Sequence, residues 1–130
     1  MQIGDFYEVT DVVSEKNTAA SLGSGALPVF GTPYLVAMME NAALLLMQRD
    51  LPEGKSSVGV KMDVEHVSPT PIGMQVRVRA EVTAISENGK LVDFKVTGWD
   101  EAGLIGEGTH RRASVTVERF LAKCQSKLGK

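Results

Sequence analysis

Three polar residues of this chain sit in apolar company, and together they could do acid–base or nucleophilic chemistry. The first is Glu40, inside the run Thr32-Pro-Tyr-Leu-Val-Ala-Met-Met-Glu-Asn-Ala-Ala-Leu-Leu-Leu-Met47, where only Glu40 and Asn41 are polar between Tyr34 and Met47. A helix with no polar face is a buried helix. A carboxylate there has to be paired, hydrogen-bonded or held neutral, because an isolated buried charge is too costly, and such groups gather where chemistry is done. The second is His66, on the apolar parity of a later strand. The third is Thr32, at the start of the helix. An acid, an imidazole and a hydroxyl facing one cavity could move protons or attack a carbonyl.

Each residue alone has a plainer reading. His66 reads as a core histidine satisfied by a carbonyl, Glu40 as a buried acid paired with an arginine or an amide, and Thr32 as a simple N-cap. The run Val29-Phe-Gly-Thr32 brings backbone N–H groups to a helix N-terminus, where an anion or oxyanion is favoured; a Gly-containing loop before an N-cap explains it equally well. Gly106 and Gly108 share one parity of the last strand, the mark of a bulge or of a close approach by backbone or ligand. His110, Arg111 and Arg112 follow, either as contacts for an anionic group or as a solvated basic strand end. The methionines read as core filler.

The elements that position these groups can be placed along the chain. Residues 5–16 have weak strand character. Residues 17–31 read as a loop with a short extended piece near 19–22. Thr32 suits an N-cap and Pro33 the first helical position, so a helix is expected from there to about Arg49, closed by Pro52-Glu-Gly54. The period then changes to two. Residues 57–68 put Val58, Val60, Met62, Val64 and His66 on one unbroken inner face. Strands over 74–86 and 91–100 flank the Asn88-Gly89 hairpin signal, and a last strand covers 104–117. The tail 118–130 has helical spacing. The order is strand, buried helix, then an antiparallel meander, an α+β arrangement in one domain spanning 1–130. A sheet curling round the helix would bury most of it, and dimerisation the rest.

Bulk composition excludes several classes. The chain has 130 residues, 43% apolar and 23% charged, with a net charge of -2. No basic field exists to hold nucleic acid or an anionic membrane, and only 5% of residues are aromatic. No cysteine–histidine cluster has metal-ligand spacing, and no phosphate loop or nucleophile elbow is present. Cys124 is the single cysteine, so an internal disulfide is excluded, which suits a reducing compartment. With no leader pattern and no span-length apolar run, a cytoplasmic protein is expected.

The runs Gly31-Thr-Pro-Tyr-Leu-Val-Ala-Met-Met-Glu40, Ser57-Val-Gly-Val60, Val64-Glu-His-Val-Ser-Pro-Thr-Pro-Ile-Gly73 and Gly106-Glu-Gly-Thr-His110 resemble the fluoroacetyl-CoA thioesterase-like family of hotdog-fold proteins. The resemblance covers roughly 5–117. It implies a hotdog fold, a long helix wrapped by a curved antiparallel sheet and usually dimeric. It implies a thioesterase acting on a small acyl-CoA with Thr32, Glu40 and His66 as catalytic residues. Gly59 matches a glycine near the bound acyl group, and His110 and Arg112 fall near the substrate-contacting end of the last strand. Phe30 lies near the place where fluoroacetyl-specific members carry a phenylalanine lid, and it is the only part of that lid recovered. The resemblance implies no separate cofactor, since coenzyme A belongs to the substrate, and a homodimer as the assembly. Local arginines and lysines, Arg112 among them, would meet the CoA phosphates. A non-catalytic acyl-CoA or small-ligand binding module on the same fold is the alternative.

Overall fold

The computed structural model describes residues 1–129. Five strands form one antiparallel sheet in the order β1-β3-β4-β5-β2: β1 (Phe6–Val12), β2 (Lys55–His66), β3 (Gln75–Ile85), β4 (Leu91–Asp100) and β5 (Gly103–Thr116). Two α-helices precede the meander, α1 (Ala19–Leu22) and α2 (Thr32–Gln48), and α3 (Val117–Gln125) follows it. Residues 19–22, expected as an extended piece, form a single helical turn instead. The Thr18 hydroxyl accepts from the Ser21 N–H and Gly23 closes the turn at φ 73°, a left-handed conformation that glycine takes at no steric cost.

The core is the seam between α2 and the inner sheet face. Leu35, Met38, Met39, Ala42, Ala43, Leu46 and Met47 are buried, a spacing of three and four that lines one side of a helix. They pack on Val76, Val78, Ala80 and Val82 of β3 and on Val92, Phe94 and Val96 of β4. Gly98 and Gly106, facing each other across β4 and β5, form a notch for Leu35. A Cβ on Gly98 would stand 2.9 Å from Leu35 Cδ1, and one on Gly106 2.8 Å from Leu35 Cδ2. Gly108 admits backbone instead: a Cβ there would collide with Asp63 O and Val64 Cα. The in-strand glycines of β5 therefore serve the close approach of helix and neighbouring strand.

The sheet covers one side of α2, and Pro33, Ala37, Asn41, Leu45 and Gln48 are exposed along the other, the part of the helix expected to be left for a partner copy. One expectation needs correction: β2 does not keep one inner face throughout. Its register against β5 shifts between Gly59 and Lys61, so Val60 is an extra, bulged residue, 53% exposed. A bulge reverses the parity of everything beyond it. Ser57 and Gly59 therefore face the helix side on one half of the strand, and Met62, Val64 and His66 on the other.

Candidate active site

The local chemistry begins with a missing cap. Gly31, at φ -81° and ψ 137°, holds the N-cap position without a side-chain bond, and Thr32 is the first helical residue rather than the cap. Its hydroxyl is thereby free, and Oγ1 lies 2.7 Å from His66 Nδ1. His66 ends β2, where the next residue, Val67, donates its N–H to Ile105 O at 2.7 Å. Burial pushes the His66 pKa below its ordinary 6.5, with the Ser68 backbone acting the other way. The ring is thus neutral at neutral pH. Its Nε2 is buried without a partner among the described residues. Phe30 packs edge-on to this ring, centroids 6.4 Å apart. A cleft of about 280 Å³ opens beside them, lined also by Val67, Ser68 and Pro69.

Glu40 belongs to a second cluster. It is half-buried, not sealed in the core. A Cβ on Gly59 would stand 2.7 Å from Glu40 Oε2, 3.2 Å from His110 Cε1 and 3.5 Å from Arg112 Nη1. Only glycine lets these three side chains converge on the β2 backbone. Arg112 is 6% exposed. Its Nε donates to Ser57 Oγ at 2.8 Å and its Nη2 to Ser57 O at 3.0 Å. His110 Nδ1 lies 2.7 Å from Lys61 O, which can only accept, so Nδ1 carries the proton. The bare Nε2 then accepts from Arg112 Nη1 at 3.2 Å. Burial pushes the pKa of Arg112 down, and the Glu40 charge pushes it back up. Burial likewise lowers His110; the Lys61 carbonyl opposes this, the Arg112 charge adds to it and the Glu40 charge opposes it. Three of the five guanidinium N–H groups are used by Ser57 and His110. Arg112 also borders a cleft of about 420 Å³, lined with it by Glu40, Asn41, Leu44, Ser57 and Gly59.

The structure thus brings Thr32 to His66, and brings Glu40 to Gly59, His110 and Arg112. It does not bring the two groups together within one chain. Thr32 and Glu40 are eight residues apart on α2, about 12 Å at 1.5 Å per residue. Phe30 is buried, 1% exposed, and lines the cleft beside Thr32 and His66. Arg112 is buried rather than at a surface where phosphates would lie. Ser57, which fixes Arg112, entered the sequence reading only at the head of the run Ser57-Val-Gly-Val60 and was given no role there, because the bulge hides its parity.

Comparison with known proteins adds the family. The model of the family described as fluoroacetyl-CoA-specific thioesterase matches residues 13–118. The chain belongs to this family. The fluoroacetyl-CoA thioesterase of Streptantibioticus cattleyicolor is 36% identical over 99 residues, 76% of this chain and 70% of that protein. A solved structure of the fluoroacetyl-CoA thioesterase FlK superposes with a TM-score of 0.90 at 32% identity, covering 98% of this chain and 97% of the other. A Thermus thermophilus thioesterase superfamily member gives 0.88 at 26% identity, covering 98% and 93%. The family is one of hotdog-fold thioester hydrolases, so the expected fold and enzyme class both hold.

Proposed function

We propose that the protein hydrolyses small acyl-CoA thioesters at a site built from both polar clusters, each supplied by a different copy in a homodimer. The observation that carries this reading is the placement of the clusters on one exposed helix face. Thr32 and Glu40 lie four positions either side of Val36, beside the small exposed residue Ala37. Two α2 helices crossing antiparallel there would set Glu40 of one protomer against Thr32 and His66 of the partner. The β2 edge, unpaired within the chain, supports such an assembly, because an open strand edge next to an apolar helix face is a surface that proteins cover.

In the reaction, water adds its oxygen to the thioester carbonyl carbon, the C–S bond breaks, and a proton passes to the departing thiolate. Glu40 is the group for attack, either on the carbonyl directly or through a water from which it takes a proton. The neutral His66 is the group for proton transfer, since its free Nε2 needs a partner and Thr32 fixes the ring through Nδ1. The two unused N–H groups of Arg112, beside Gly59, suit the carbonyl oxygen as it gains charge. Coenzyme A is part of the substrate and no separate cofactor is invoked. No described helix is long and apolar enough to cross a membrane. The one cysteine is exposed and free, which suits a reducing, cytoplasmic location.

Thiol release from acyl-CoAs of increasing chain length, fluoroacetyl-CoA included, tests the reading. Turnover of a short acyl-CoA that vanishes in folded Glu40→Gln is expected. Equal turnover in that variant would remove Glu40 from the mechanism, and binding without release from any thioester would overturn hydrolysis.

A further inference from the structure

Thr70 belongs to neither cluster, yet it is polar and fully buried. Its hydroxyl donates to Asp100 Oδ2 at 2.8 Å. Asp100 ends β4, and its Oδ1 accepts the N–H groups of Ala102 at 2.8 Å and Gly103 at 3.1 Å, across the turn into β5. Burial raises the Asp100 pKa; the Thr70 hydroxyl and the N–H groups of Ala102, Gly103 and Asp100 itself outweigh it and hold the carboxyl below its ordinary range. The acceptor is therefore charged, and a hydroxyl bonded to a carboxylate makes one of the stronger hydrogen bonds. The Thr70 carbonyl accepts from the Phe30 N–H at 2.9 Å. Thr70 thus joins the β4–β5 turn, the residue two before Thr32, and the chain four residues beyond His66. Its neighbours cannot replace it: Pro69 and Pro71 flank it, and proline has no N–H to give. Before them, Val67 and Ser68 both donate to the one carbonyl of Ile105, at 2.7 and 3.3 Å. Val67, Ser68 and Pro69 form a wall of the cleft at Thr32 and His66, and Thr70 ties that wall to the sheet.

We infer that Thr70 and Asp100 are positioning residues for the reaction: their buried hydroxyl–carboxylate link keeps His66 aligned on Thr32. The inference rests on the thioesterase reading above, in which His66 passes a proton to the departing thiolate. Neither Thr70 nor Asp100 lines the cleft, so both act through the residues that do. The Thr32–His66 contact joins residues 34 apart in sequence, and Thr70 is close to each of them along the chain. The two sides are held unequally. On the Thr32 side the Gly31 N–H has its own partner, Asn17 O at 2.9 Å. Loss of the link therefore leaves Thr32 anchored and releases the segment that follows His66. Hydrogen bonds weaken steeply with misalignment, and a displacement of about an ångström can cost about a hundredfold in rate.

The test compares two thioesters of one acyl group: the CoA thioester, and a nitrothiophenyl thioester, whose thiolate leaves without needing a proton. Thr70→Val keeps the side-chain shape and removes the hydroxyl, and Thr70→Ser keeps the hydroxyl. Asp100→Asn removes the charge of the acceptor and carries the same test if Thr70→Val does not fold. In the broken link, kcat for acyl-CoA is expected to fall about tenfold to a hundredfold while KM stays within about twofold of wild type. For the nitrothiophenyl thioester, kcat should change less than about threefold, because proton transfer no longer limits it. Thr70→Ser should recover acyl-CoA turnover. His66→Ala calibrates the comparison and should show the same split between substrates. Given that split, equal losses on both thioesters in the broken link overturn the inference, as a loss of general stability would produce them. So does unchanged kcat for acyl-CoA, or a Thr70→Ser as slow as Thr70→Val. If His66→Ala slows both thioesters alike, or wild type turns over neither, the reading of His66 or of the enzyme has failed separately. The imidazole nitrogen NMR signals then decide the link, with the two histidines assigned by His66→Gln. His66 signals that shift in Thr70→Val and return in Thr70→Ser support it, and unshifted signals overturn it.

Discussion

The division of the polar groups into two clusters predicts complementation between inactive variants. Glu40→Gln removes the carboxylate and His66→Ala the imidazole; each alone should cost about two to four orders of magnitude in turnover, the range for lost acid–base groups. Within one chain the clusters are about 12 Å apart along α2, too far for a carboxylate and an imidazole to serve one carbonyl. If each site draws Glu40 from one copy and His66 from the other, a mixed dimer holds one site with both defects and one site with neither. Random exchange makes half of the dimers mixed, so about one quarter of wild-type turnover should return. The assay is thiol release after unfolding and refolding the two variants together, with tags of different mass to count mixed dimers. Mixed dimers formed in the expected proportion without recovered turnover would refute the shared site.

Three further outcomes follow from the same geometry. Gly59→Ala puts a methyl group 2.7 Å from Glu40 Oε2, so Glu40 must swing away; kcat should fall about a hundredfold, the cost of an ångström-scale misplacement, with little change in Tm. Leu35→Ala empties the notch at Gly98 and Gly106, and should cost about 2–5 kcal/mol by urea unfolding, the range for a fully buried leucine. The third concerns pH. Burial holds the His66 and His110 pKa values below 6.5, so between the folded and unfolded values the unfolded chain binds more protons. Their contribution to stability is complete above the unfolded value and is lost as the pH falls from there through the folded one. Thermal melts should therefore show Tm declining from pH 7 toward 5, with a shallower decline in His66→Gln.

The strands and the long helix were legible because burial writes its period into the sequence. Val76, Val78, Ala80 and Val82 alternate with charged or polar residues, and the buried positions of α2 recur at helical spacing. The strand glycines were legible too, as sites of close approach, although not which partner approaches. Three things were not. A bulge leaves no compositional trace, so Val60 read as one more inner residue and Ser57 was given no role. Gly31 took the cap position that Thr32 suits, because the threonine hydroxyl has a stronger claim in His66, 34 residues away, and no local rule sees that far. Glu40 read as sealed because the sequence of α2 is apolar on a face that this chain does not itself cover.

Leu35 in its glycine notch has a bearing on how such an enzyme changes over time. It sits three residues from Thr32 and five from Glu40, so a peg that helps to seat α2 on the sheet also stands close to both clusters. Side chains around either cleft can then be exchanged, and acyl preference can drift, while the reacting groups keep their alignment. A designer seeking a new acyl selectivity has the same freedom, provided that Gly98, Gly106 and Leu35 are left alone.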